Sequence, residues 1–321
     1  MRVVYWARMR LAKERIIAAI EAVPGAQLTV VETIDELMPE LPGAGALLLA
    51  DAPPDMARKV KDALSSPENT VKWMHFLTAG REGFEAVGLP DGVAVTYPAG
   101  GVAPAVAEHA MTLLLAVTRR VPAMLAEQAK RNWSRETVSA NARSIEGMTM
   151  AIVGYGQIGR EIARRAKGFG VHTIGLSRTA RADEFLDESH GLDDLKPVLG
   201  RVDIVMIAIA LTDETRHLIN ADTIAAAKPG FILVNVARGG LVDQVALAEA
   251  LVSGQIFGAG LDVVDPEPLP ADDPLWEAPN LIVSPHFAGG ASIASQKRLA
   301  SGAADNLKRL MAGDALLHQV N

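Results

Sequence analysis

Met148-Thr149-Met150-Ala151-Ile152-Val153-Gly154-Tyr155-Gly156-Gln157-Ile158-Gly159 joins a run suited to a buried strand to a G-x-G-x-x-G turn, after which Ile158, Ile162, Ala166 and Phe169 recur at helical spacing. In a strand–turn–helix the first glycine makes the tight turn and the second lets backbone approach a pyrophosphate. The third permits close helix–strand packing, and the helix N-terminus offers free amides and positive potential. Gly154, Gly156 and Gly159, with Gln157 and Ile158 between them, are therefore expected to hold a dinucleotide. The next strand-like run, 171–176, leads into Ser177, Arg178 and Thr179. An acid there would bind the adenosine ribose hydroxyls and repel a 2′-phosphate, whereas a guanidinium beside two hydroxyls can bind that phosphate. The sequence thus predicts NADP(H), with NAD as the alternative.

Further along, apolar runs at 202–210, 231–236, 257–261 and 281–283 are separated by helical candidates at 223–227 and 244–252. Continuous apolar strands between helices imply a parallel sheet covered on both faces, a Rossmann-type doubly wound domain. Before the glycine motif the alternation recurs on a smaller scale. Strand-like runs lie at 3–6, 28–31, 46–50 and 71–77, and Leu11, Ile16, Ile20 and Val23 mark an amphipathic helix. Pro98-Ala99-Gly100-Gly101-Val102-Ala103-Pro104 reads as a crossing between domains. The helix after it, with Val106, Ala110, Leu113, Leu114 and Val117, is apolar on more than one face and is expected between domains or subunits. Residues 293–311 read as a terminal helix. The expected fold class is α/β with two domains. A smaller flavodoxin-like substrate domain at 1–98, completed by 287–321, accompanies a dinucleotide-binding Rossmann domain at 99–286.

The 321 residues, 49% apolar and 21% charged, have ordinary globular composition and suffice for two cores. No apolar run approaches bilayer length, and Arg8 and Arg10 interrupt the first one too early for a signal-peptide core, so a cytoplasmic, non-membrane protein is expected. The absence of cysteine removes disulfides, thiolate nucleophiles and cysteine-held metals, and no metal site is expected. A net charge of −7 disfavours nucleic acid as a partner.

Three further segments carry polar chemistry: Val234-Asn235-Val236-Ala237-Arg238-Gly239-Gly240, Asp262-Val263-Val264-Asp265-Pro266-Glu267-Pro268, and Ser284-Pro285-His286-Phe287-Ala288-Gly289-Gly290. With the glycine motif they resemble the D-isomer-specific 2-hydroxyacid dehydrogenases over nearly the whole chain, with 29 residues from Arg238 to Glu267 and 19 from Glu267 to His286. The resemblance implies that Arg238, Glu267 and His286 form the active site. Reducing a 2-oxo acid requires a hydride at C2 and a proton on the developing alkoxide. The implied proton donor is His286, with Glu267 favouring its protonated form and fixing its orientation, and Arg238 gripping the substrate carboxylate and polarising the carbonyl.

The resemblance also implies a substrate loop within 72–83, where the amides of Ala79 and Gly80 hold the carboxylate. Arg81 and Glu82 depart there from the family's usual apolar residue and aspartate. It implies a cofactor contact from the backbone at Ala210 and a hydrogen bond from the nicotinamide carboxamide to Asp262. His109, on the crossing helix, reads as packing. The expected protein is a homodimeric oxidoreductase that uses NADP(H) on a small 2-oxo or 2-hydroxy acid, glyoxylate or hydroxypyruvate. The alternatives are a formate- or phosphite-type dehydrogenase on the same scaffold and, from another class, a nucleotide-sensing, co-repressor-like binding protein.

Overall fold

The computed structural model describes residues 1–8, 12–78, 80–290 and 292–320, so Leu11 and Ala79 lie outside the described residues. The chain divides into two compact units, Met1–Val102 with Gly290–Asn321, and Ala103–Gly289. The first unit contains β1 (Arg2–Trp6), α1 (Lys13–Glu21), β2 (Gln27–Val31), α2 (Ile34–Glu40), β3 (Ala46–Leu49), α3 (Pro54–Leu64), β4 (Trp73–Phe76), α4 (Glu82–Val87) and β5 (Ala94–Thr96). Its strands pair in parallel in the order β2-β1-β3-β4-β5, which is flavodoxin-like. Side chains alternate across each strand. Val4, Trp6, Leu47, Leu49, Met74 and Phe76 therefore join α2, α3 and α4 in one core, while Val3, Tyr5, Ala46, Leu48 and Trp73 meet Ile16 and Ile20 of α1 and Leu299, Ala303 and Leu307 of the C-terminal helix on the other face.

The second unit opens with α5 (Ala103–Thr118), α6 (Val121–Ala129) and α7 (Arg135–Ser139). There follow β6 (Thr149–Val153), α8 (Gln157–Lys167), β7 (His172–Ser177), β8 (Glu188–Gly191), α9 (Leu195–Leu199), β9 (Ile204–Ile207), α10 (Ala221–Ala226), β10 (Phe231–Asn235), α11 (Gln244–Ser253), β11 (Ile256–Leu261) and β12 (Leu281–Val283). The last helix, α12 (Ile293–Ala312), belongs to the first unit. Strand order is β12-β11-β10-β9-β6-β7-β8, with every pair among the described residues parallel. Counted within the unit this is the Rossmann order with one more strand, and its direction reverses between β6 and β9. Side-chain caps fix several helix starts: Asp243 accepts from Val245 and Ala246 N–H before α11, and Asn220 forms a capping box with Thr223 at α10.

Some expectations need correction. The apolar faces of α5 are covered within its own unit by α8, β10 and β11, with Leu113 and Val117 lying directly on Gly260 and Gly258, so no second subunit is required to explain them. Phe169 does not share the face of α8, because the helix ends at Lys167 and Phe169 is 43% exposed. The two units divide at 102/103, inside the stretch 98–104, and at 289/290. Arg298 Nε donates to the Gly101 carbonyl (3.0 Å) and Val102 packs into the first unit's core, while the N–H groups of Phe287 and Ala288 bind Asp262 in the second. Among the described residues no helix is long and apolar enough to cross a membrane.

One buried polar cluster lies inside the first unit. Trp73 Nε1 donates to Thr96 Oγ1 (2.8 Å), His75 Nδ1 lies 2.7 Å from the same oxygen, and buried His75 Nε2 has no partner among the described residues. Burial, and then the nearby charge of His318, lower the His75 pKa to about 3. Because the unfolded chain would take up a proton near 6.5 and the folded one near 3, stability is full above 6.5. It should fall by about 1.4 kcal/mol per pH unit between those values. Melting curves from pH 7 to 4 should therefore drop more steeply for wild type than for His75→Met, and parallel curves would contradict this account.

Candidate active site

The three motif glycines have different physical reasons. Gly154, directly after β6, has φ +99°, and a Cβ there would sit 2.4 Å from the Ile209 nitrogen. A Cβ on Gly159 would lie 2.2 Å from the Gly154 carbonyl oxygen, so the start of α8 needs glycine to lie against the turn. Gly156 is unlike both: its φ is −95° and an added Cβ would meet nothing within 4 Å. The protein itself does not require glycine at 156. Exposed Gly156 and Gln157 at the N-terminus of α8, with unpaired first-turn amides, leave the space and donors that a pyrophosphate needs, so these residues fit a dinucleotide.

Beside this turn, Gly154 N–H donates to the Leu176 carbonyl (2.8 Å), which places Ser177, Arg178 and Thr179 next to the glycines. Ser177 Oγ donates to the Thr179 carbonyl (2.8 Å), and exposed Arg178 makes no hydrogen bond or ion pair among the described residues. Asp183, the first acid after β7, accepts from Arg160 Nε (2.8 Å). Sequence reasoning passed over Arg181, which donates to the Tyr155 carbonyl within the glycine turn. Its signal was a second arginine three residues after Arg178. Ala210 follows β9, and its carbonyl accepts from Thr215 Oγ1 (2.8 Å).

Arg238, Glu267 and His286 follow three adjacent strands, β10, β11 and β12. Arg238 is half-buried, and the turn that presents it is clamped by Asn235. The fully buried carboxamide of Asn235 donates to the Arg238 carbonyl (2.8 Å) and accepts from Ala237 N–H (3.0 Å). A Cβ on Gly239 would be 2.1 Å from the Val264 carbonyl, so the Arg238 turn lies against the loop that carries Glu267. Glu267 Oε1 accepts from Val264 N–H (3.2 Å), and Oε2 accepts from His286 Nδ1 (2.7 Å). The side chains of His286 and Glu267 are 48% and 37% exposed. His286 Nε2 has no partner among the described residues, so the pair fixes the ring and leaves its outer nitrogen available for chemistry.

Beneath this pair lies Asp262, 2% exposed. Its Oδ1 accepts from Ser284 Oγ (2.6 Å) and Phe287 N–H (3.2 Å) and lies 3.3 Å from His109 Nε2, while Oδ2 accepts from Ala288 N–H (3.1 Å). Burial opposes ionisation. The donors from His109, Ser284, Ala288 and Phe287 outweigh it and hold the carboxyl below its ordinary value. His109, expected to be packing, packs on Phe287 and also joins this polar cluster. In the first unit, Asp51 N–H donates to Thr78 Oγ1 (3.1 Å), which donates to the Gly80 carbonyl (3.0 Å). Arg81 pairs with Glu85 (2.9 Å) and lies over the Tyr97 ring.

Residues 111–288 match the D-isomer specific 2-hydroxyacid dehydrogenase, NAD binding domain family. The chain is similar to D-3-phosphoglycerate dehydrogenase of Mycobacterium tuberculosis, 38% identical over 67% of this chain; the match spans only 40% of that protein's length. It is also similar to glyoxylate reductase of Korarchaeum cryptofilum, 36% identical over 72% of this chain and 70% of that one. Among solved structures, an NADPH-dependent glyoxylate/hydroxypyruvate reductase from Sinorhizobium meliloti superposes with a TM-score of 0.79 at 27% identity, covering 99% and 96% of the two chains.

The glycine geometry gives a direct test. Gly156→Ala should cost about 1 kcal/mol of stability or less, the usual penalty for alanine at a helix N-cap, yet weaken dinucleotide binding sharply. Gly159→Ala should destabilise the fold much more. Denaturant melts and fluorescence titration with NADPH would separate the two effects, and unchanged nucleotide affinity in Gly156→Ala would remove this turn from the binding site.

Proposed function

Because the chain belongs to the D-isomer specific 2-hydroxyacid dehydrogenase family, we propose that it interconverts a short 2-oxo acid and its D-2-hydroxy acid with NADP(H), glyoxylate or hydroxypyruvate being the substrate. The observation that carries this reading is the 2.7 Å bond from His286 Nδ1 to Glu267 Oε2. It commits one imidazole nitrogen to orientation and leaves Nε2 for proton transfer. In reduction, His286 Nε2–H protonates the carbonyl oxygen as it becomes an alkoxide, and Glu267 holds the ring in the orientation that step needs. Arg238 binds the substrate carboxylate and polarises the carbonyl through its planar fork.

NADP(H), when bound, exchanges the hydride with C2. Gly154, Gly156, Gln157, Ile158 and Gly159 would hold its pyrophosphate, and Ser177, Arg178 and Thr179 its 2′-phosphate. The backbone at Ala210 would line its path, and Asp262 would accept from its carboxamide. The preference for NADP(H) rests on the unpaired Arg178 and on an Asp183 already engaged by Arg160, and the NADPH-dependent relative supports it. The protein acts in the cytoplasm as a homodimer. Leu125 and Trp133, 58% and 97% exposed near α6, are the apolar surface that a second copy covers, which sedimentation would test.

A panel of glyoxylate, hydroxypyruvate, 3-phosphohydroxypyruvate and formate with both cofactors decides the reaction. Binding of NADPH without turnover of any of them would favour a nucleotide-sensing module instead. His286→Ala should lower kcat by about 10²- to 10⁴-fold, whereas Arg238→Ala should also raise KM. In Glu267→Gln the ring loses its anionic anchor at Nδ1, so kcat should fall with KM little changed; a wild-type kcat would break the pairing. Separately, Arg178→Ala should weaken NADPH far more than NADH, and equal small losses would reduce Arg178 to a solvated charge.

A further inference from the structure

Hydrogen-bond bookkeeping around Asp262 fixes the role of a histidine far from it in sequence. Ser284 Oγ carries one hydrogen, and its 2.6 Å contact with Asp262 Oδ1 must use it, because a carboxylate only accepts. The 2.8 Å contact between Ser284 Oγ and His109 Nε2 therefore runs the other way, with Nε2–H donating. The same N–H lies 3.3 Å from Asp262 Oδ1. The His109 side chain is 13% exposed on α5, and its ring meets Phe287 edge-on with centroids 4.6 Å apart.

The other hydrogen bonds that Asp262 accepts come from one segment. Asp262 accepts from the backbone of Phe287 and Ala288, and its carbonyl accepts from His286 N–H (2.8 Å). His286 itself has φ +49°, a left-handed conformation that a residue with a Cβ holds only with support from its surroundings.

We propose that His109 is a positioning residue for the reaction: by donating Nε2–H to Ser284 and Asp262 it holds segment 284–288 in the one conformation that presents His286 to the substrate. The inference rests on His286 being the proton donor. Removing the donor leaves Ser284 Oγ and Asp262 Oδ1 with one partner fewer each, so the segment relaxes while Arg238 and the glycine turn keep their places.

The test compares His109→Phe, which keeps a ring against Phe287 but cannot donate, with His109→Gln, whose amide can donate from nearly the same point. In His109→Phe, kcat for 2-oxo acid reduction should fall about 10- to 100-fold, the size expected from a small misplacement of a reacting group, with KM and NADPH affinity little changed. Hydrogen exchange of the peptide holding Phe287 and Ala288 should quicken, and His109→Gln should recover most of both losses. Equal damage in the two variants would mean that His109 acts only by shape, and wild-type exchange and kcat in His109→Phe would overturn the proposal. Exchange is read without turnover, so it still decides the role of His109 if the wild-type enzyme reduces none of the acids tested.

Discussion

Parallel pairing is the constraint on which the site depends. Every strand pair among the described residues of the second unit's sheet runs the same way, so the residues after each strand emerge at one edge. Gly154 follows β6, Ser177 ends β7, and Asp262 and Ser284 come immediately after β11 and β12. Ala210 and Arg238 stand three residues beyond β9 and β10. The central strands β6, β9 and β10 are buried on both faces and almost wholly apolar, which leaves no room for polar chemistry along their length. Polar residues concentrate where the strands stop, and the order reversal between β6 and β9 opens the sheet for a ligand there.

Two carboxylates at that edge live under opposite conditions. Asp262 is almost fully buried, so leaving its charge short of donors would be expensive, and its partners form a dense set that holds the backbone rigid. Glu267 and His286 are substantially exposed, where an ion pair contributes only about 0–1 kcal/mol to stability. The fold gains little from keeping that pair. Its geometry, with one imidazole nitrogen held and the other open, makes sense as preparation for proton transfer on a loop that the buried carboxylate has already fixed.

Much of this architecture was legible because burial on both faces writes itself into a strand as an unbroken apolar run. β6, β9, β10 and β11 show it, and the punctuating glycines and prolines separate them. β8 escaped because Glu-Ser-His-Gly at the edge of the sheet is only half-buried and carries no such signature. β5 escaped because three residues are too few to establish a period. The apolar character of α5 was visible, but composition cannot say which surface covers a helix, and here it is β11 and α8 of the same unit.

The site divides along the same line. Arg238, Glu267 and His286 sit inside segments whose local spacing distinguishes them, and the bond between the last two spans 19 residues. Asn235 could have been found as the one polar side chain ending an apolar strand, since a buried amide there must have backbone partners. His109 had no comparable signal, because its partner Ser284 is 175 residues away and the helix between reads as ordinary packing. His75, His109 and His286 are the same residue type in one chain. One is buried and kept neutral, one donates into a buried network, and one offers a free nitrogen at the surface. What separates them is the set of partners that distant strands and helices bring up to each ring, so the chemistry of a histidine is fixed by tertiary contacts that no window of sequence contains.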